Sequence, residues 1–65
     1  MKETLTEIFV IYDIYENGYY DGNRFRGILF AKKYPLKEMA LVDVSNILNQ
    51  SFGVRYLSIQ KLYTK

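Results

Sequence analysis

Neither cysteine nor histidine occurs anywhere in the 65 residues, tryptophan is absent, and proline appears once, at Pro35. Without cysteine there is no disulfide to staple a small core and no thiolate nucleophile. Without histidine there is no imidazole base, and the usual zinc, haem and iron–sulfur ligand sets cannot be assembled. Charge of one sign is also scarce: nine Lys/Arg against seven Asp/Glu leave +2, well below the footprint of a dedicated phosphate binder. Long apolar runs are missing too. The longest, Ile8 to Tyr12, falls far short of the roughly 20 residues that span a bilayer. The opening "MKETLTEIFV" carries Glu3 and Glu7 where an export signal needs a basic start and an apolar stretch, so a cytoplasmic protein with no membrane partner is expected.

What is present is apolar and aromatic. Hydrophobic residues make up 49% of the chain and include seven tyrosines and four phenylalanines, which describes one folded domain over residues 1–65 rather than a disordered segment. A domain this short buries only roughly 60% of the surface its unfolded chain exposes. Each large core side chain therefore counts, and self-association as a homodimer is a reasonable expectation.

The first periodic segment, "EIFVIYDIYE" (Glu7 to Glu16), is β-branched and aromatic except at Asp13, which predicts a strand. Ile8, Val10, Tyr12 and Ile14 fall on one face, with Phe9, Ile11, Asp13 and Tyr15 on the other. Both faces are substantially apolar, so the strand is expected at the centre of a sheet. Asn17-Gly18 and Asp21-Gly22 supply turn chemistry, and "RFRGILFAKKY" (Arg24 to Tyr34) resumes strand character until Pro35. The simplest reading is a long hairpin with Tyr19 and Tyr20 at its tip. A short third strand at Gly18 to Tyr20 between two tight turns is the alternative.

Beyond Pro35, Ala40, Leu41, Val44, Ile47, Leu48 and Phe52 recur at three- and four-residue spacing, which predicts a helix from about Leu36 to Ser51 closed by Gly53. Asp43 as the cap of a shorter helix is the competing start. Alternation returns in "VRYLSIQKLYT" (Val54 to Thr64) and predicts a last strand. The expected fold is α+β: a small three-stranded, mainly antiparallel β-β-α-β sheet in the order 2-1-3, with one helix on one face. One helix covers one face only, so the second apolar face of the first strand is expected to meet a homodimer mate or another partner.

Two binding readings compete. Tyr15, Tyr19, Tyr20, Arg24, Phe25 and Arg26 combine the residue types enriched at protein interface hot spots, which points to a protein partner. Arg24, Arg26, Lys32, Lys33 and Arg55 are the residues a nucleic-acid reading would place on phosphates. "RGILFAK" shares Arg26, Gly27 and Phe30 with the RNP1 strand of RNA-recognition motifs. Ile28 and Lys33 stand where that pattern wants aromatics, and Leu29 where it wants a small residue, so the family's function does not carry across. The Lys32, Lys33 and Lys37 cluster around Pro35 is explained equally well as protection of a strand edge. Asp13, Glu16, Asn17, Asp21 and Asn23 lack the spacing and closing Glu of a calcium loop and read as turn residues. Ser45, Ser51 and Ser58 have no candidate base, and no Gly-rich phosphate loop occurs. No metal, cofactor or catalytic residue is expected. The chain reads as a non-enzymatic module that binds a protein stoichiometrically. Its Lys-, Ile-, Tyr- and Asn-rich composition suits an AT-rich genome and hence a small phage or mobile-element accessory or inhibitor protein. A small nucleic-acid-binding regulator is the alternative.

Overall fold

The computed structural model describes residues 5–50 and 56–64. Strand β1 (Thr6–Asp13) is the β-branched, aromatic run, and it ends where Asp13 turns its side chain back on the chain. The Asp13 carboxylate accepts the backbone N–H of Tyr15 at 2.8 Å and of Glu16 at 3.1 Å. Asn17 then takes φ 58°, a left-handed position Asn tolerates, and its side-chain oxygen accepts the Tyr12 hydroxyl. The four-residue loop delivers β2 (Gly18–Tyr20), paired antiparallel to β1 with Tyr12 opposite Tyr19 and Asp13 opposite Gly18.

A second reversal follows at once. Asp21 accepts the N–H groups of Asn23 and Arg24, each at 2.8 Å, and donates its own N–H to the Arg24 carbonyl at 2.9 Å. Gly22 sits at φ 106°, a conformation that side chains rarely adopt. The two-residue strand β3 (Phe25–Arg26) pairs with β2, and a 3₁₀ turn, Ile28–Phe30, comes next. The sheet thus has four strands, not three. The long hairpin is replaced by its shorter alternative, and Tyr19 and Tyr20 lie inside the sheet instead of at a tip. The physical reason is local: two complete sets of turn hydrogen bonds, at Asp13 and at Asp21, reverse the chain twice within twelve residues.

The chain regains β1 only at Tyr34, which exchanges both backbone hydrogen bonds with Phe9 at 2.8 and 2.9 Å. Helix α1 (Lys37–Gln50) begins two residues after Pro35, with Glu38 in its first turn, where a carboxylate favours the positive end of the helix dipole. The longer of the two helix readings is the one formed. Gly53, Phe52 and Ser51 lie outside the described residues. Strand β4 (Leu57–Thr64) pairs with β1 along all eight residues, Thr6 opposite Thr64 through Asp13 opposite Leu57. The order is β3-β2-β1-β4, antiparallel throughout, which places β1 inside the sheet, as its two apolar faces imply, and the last strand beside the first.

The core lies between the sheet and α1. Ile11, Tyr34 and Ala40 are buried there, with Phe9, Tyr20, Phe25, Val44, Ile47, Leu57 and Ile59 packed round them. Of the predicted helix stripe, Ala40, Val44 and Ile47 face this core, whereas Leu41 and Leu48 stand about half exposed. On the opposite sheet face Ile8 is 9% and Val10 only 1% exposed. That face is therefore not the open apolar surface expected from two apolar sides of β1. No helix among the described residues is long and apolar enough to cross a membrane.

Candidate functional site

The two turns raise a lobe, residues 21–31, whose ends meet. The chain turns away from β2 at Tyr20, pairs back on it through Phe25 and Arg26, and meets it again at Lys32, where the Lys32 N–H donates to the Tyr20 carbonyl at 2.8 Å. A surface loop with joined ends packs by its own side chains and is a frequent carrier of function. Its interior contacts are specific. The Phe25 ring lies 5.4 Å from Tyr20, and the Arg26 guanidinium stands 3.9 Å above the Phe30 ring and 3.8 Å from the Asp21 carboxylate. Ala31 is buried at the lobe's base.

The far end is apolar. In the 3₁₀ turn, Phe30 N–H donates to the Gly27 carbonyl at 3.0 Å and Ala31 N–H to the Ile28 carbonyl at 3.1 Å, which fixes the backbone. None of the turn's three residues is buried: Leu29 is 88% exposed, and Ile28 and Phe30 about half. Single exposed leucines are ordinary, but three adjacent large apolar side chains on a hydrogen-bonded turn form a presented patch.

The sequence-predicted residues do not form one surface. Directly paired residues share a sheet face, so Tyr19 and Arg26 lie on one side and Tyr20 and Phe25 on the other. Tyr19 stacks on Tyr12 at 4.8 Å and donates its hydroxyl to Gln60 at 3.2 Å. Tyr20 and Phe25 belong to the helix-side core and, with Arg24, Glu16, Asn23, Ile47 and Gln50, line a cleft of about 400 Å³. Tyr15 stands apart on the β1–β2 loop, its ring 6.2 Å from that of Tyr56. Of the basic set, Arg26 is held by Asp21 and Phe30, and Lys32 lies 3.5 Å from Asp43. Lys33 is exposed beside Lys32, and Arg55 lies outside the described residues. Ile28 and Leu29 were not among the sequence-level candidates. Their signal is Gly27 inside a strand-like run, followed by three apolar residues that break alternation.

Electrostatics fix two points of this framework. The Arg24 and then the Asn23 backbone N–H hold the Asp21 carboxyl below its ordinary value, so the turn keeps its charged acceptor in mildly acidic solution. At the junction of lobe and helix, Tyr34 donates its hydroxyl to Asp43 at 2.5 Å. Burial first, and then that carboxylate, push the Tyr34 phenol above its ordinary value of 10.0. Above about pH 10 the unfolded chain loses this proton while the folded one keeps it. The unfolded state then binds fewer protons, and stability falls as pH rises. Urea unfolding at pH 8 and pH 11 is expected to show wild type losing more stability than Tyr34→Phe, by up to about 1.4 kcal/mol per pH unit. Equal losses would show that Tyr34 does not carry the alkaline sensitivity.

A scan against protein-family models, a search of curated proteins and a search of solved structures each return no match.

Proposed function

We propose that the chain is a non-enzymatic module that binds another protein stoichiometrically, and that Ile28, Leu29 and Phe30 are its central contact, with Arg26 and Tyr19 beside them. The observation that carries this reading is Leu29, 88% exposed on a turn whose backbone is hydrogen-bonded and whose lobe is closed at its base. A rigid apolar tip loses little conformational freedom when it enters a partner's pocket. The nucleic-acid alternative is less well supported, because Arg26, Lys32 and Lys61 already face Asp21, Asp43 and Glu7 at 3.8, 3.5 and 3.5 Å. Phosphate binding draws on cations free to replace counterions. A small inhibitor that seats an apolar tip in the site of a larger protein is the concrete form of the proposal.

A photo-crosslinking residue at position 29, expressed in the native cell, tests it. One discrete protein adduct is expected. In the reconstituted complex, Leu29→Ala is expected to weaken binding about 10- to 100-fold, the worth of one buried leucine, with an unchanged circular dichroism spectrum. Nucleic-acid adducts, or binding that Arg24→Ala with Arg26→Ala abolishes while Leu29→Ala leaves it intact, would overturn the reading.

A further inference from the structure

We propose that β4 is the seam of a two-fold homodimer, in which the β4 edges of two copies pair antiparallel and join their sheets into one of eight strands. The lobe plays no part in this, since β4 lies at the sheet edge opposite β3.

The backbone of β4 is prepared for a partner. Ile14 N–H donates to the Tyr56 carbonyl at 2.9 Å, which sets the phase of the β1–β4 ladder. Hydrogen-bonded and non-hydrogen-bonded pairs alternate in an antiparallel ladder, so Ser58, Gln60, Leu62 and Thr64 bond to β1. Leu57, Ile59, Lys61 and Tyr63 then turn their N–H and C=O groups to the outer edge, where no described strand pairs with them. Natural edges are usually blunted by prolines, bulges or several charges. Strand β4 has an unbroken register over eight residues, no proline and a single charge, Lys61, which faces Glu7 at 3.5 Å.

The helix supplies the second half of the surface. Lys37 lines a cleft with Ile59 and Lys61, whereas Met39, Val42 and Asp43 line one with Lys32 to Pro35. The Lys37 side of α1 is therefore the side toward the β4 edge. Positions 41, 44 and 48 continue that side at helical spacing, so the exposed Leu41 and Leu48, 48% and 49% accessible, overhang the same edge. α1 packs on both β1 and β4. Strands lie about 4.8 Å apart, so a helix over the β1–β4 seam sits about 5 Å from a two-fold axis just beyond β4. Two copies place their helices about 10 Å apart, the spacing at which apolar ridges interlock.

The edge is self-complementary in one register. With Gln60 on the axis, Leu57 meets Tyr63 and Ile59 meets Lys61, giving four hydrogen-bonded residue pairs and keeping the two Lys61 side chains apart. A shift of one residue about the axis in one direction sets Lys61 on Lys61, and in the other shortens the ladder. The strand edge and the leucines together bury roughly 600 Å² per copy, about a tenth of the 5086 Å² surface and within reach of a specific interface.

The full chain has no cysteine, so Gln60→Cys introduces the only thiol. On the axis, two such residues lie about 4.5 Å apart between Cα atoms, within disulfide reach, whereas Ser58→Cys places its thiols roughly 14 Å apart along the seam. The expected results are a wild-type mass near twice 7.7 kDa by light scattering and oxidative cross-linking of Gln60→Cys but not of Ser58→Cys. Leu41→Glu with Leu48→Glu is expected to keep the circular dichroism spectrum while weakening the dimer at least about 100-fold. A monomer at millimolar concentration, equal cross-linking of both cysteine variants, or a double-glutamate variant that stays fully dimeric would each overturn the proposal. Ser58→Cys and the double-glutamate variant leave the lobe and Tyr19 untouched, and Gln60→Cys, which removes the acceptor of the Tyr19 hydroxyl, is read by cross-linking alone, so failure of the dimer and failure of the Leu29 contact are read separately.

Discussion

Asp13→Ala is expected to destabilise the fold by about 2–3 kcal/mol, whereas Asp13→Asn, which keeps a side-chain oxygen, should cost about half as much. Asp13 is fully buried, yet its carboxylate is occupied by the Tyr15 and Glu16 N–H groups. Hydrogen bonds to a charged acceptor are each worth about 1.5–3 kcal/mol. Some of that returns in the alanine variant, because Tyr15 and Glu16 are exposed and water can reach their backbone. What water cannot restore is the position of the turn. Asp13 stands opposite both Gly18 and Leu57, the last paired residues of the β1–β2 and β1–β4 strands, with only the Ile14 N–H to Tyr56 carbonyl bond beyond it on the β4 side. Chemical unfolding with the same m-value and a lower midpoint would confirm the cost, and a loss under 1 kcal/mol would show that the Asn17 left-handed turn suffices without it.

That double role explains much of what the sequence did and did not disclose. A central β1, β4 at its side and a helix after Pro35 are legible because each rests on long-range periodicity, which local chemistry does not alter. The lobe is not. "RFRGILFAKKY" carries strand-type residues almost throughout, but a strand needs a partner at every position, and Tyr20 hands the pairing position beside β1 back to the chain only at Lys32 and Tyr34. Side-chain propensity cannot register that, beyond the two residues Phe25 and Arg26 that pair with β2, the intervening backbone has no ladder to join. The helix stripe failed in a similar way: Leu41 and Leu48 fit the period, yet a single helix on a narrow sheet buries a row centred on Ala40, Val44 and Ile47 and leaves its flank outside. The tyrosines misled because alternation sends adjacent residues to opposite faces. Tyr19 and Tyr20 are neighbours in sequence and cannot share a contact surface from within a strand. Replacing both would therefore strike the core through Tyr20 as well as the surface.

The largest single loss is expected at Ile11. Its side chain is fully buried in the middle of β1, against Tyr34 and Ala40. Ile11→Ala removes three carbons from a site enclosed by strands on both sides and the helix above, so collapse around the cavity is restricted and the cost should be about 3–5 kcal/mol. A domain of this length has only about 3–10 kcal/mol in total. Ile11→Ala is thus expected to be largely unfolded at 37 °C, while Ile11→Val, which loses one methylene, should fold with a loss of about 1 kcal/mol. Thermal scans at several protein concentrations extend the comparison. If two copies associate through β4, the midpoint of each folded variant rises with concentration, because only the folded chain carries the paired edge. Ile11→Val should then regain part of its loss in concentrated solution, and a midpoint independent of concentration would place all of the stability within the single chain.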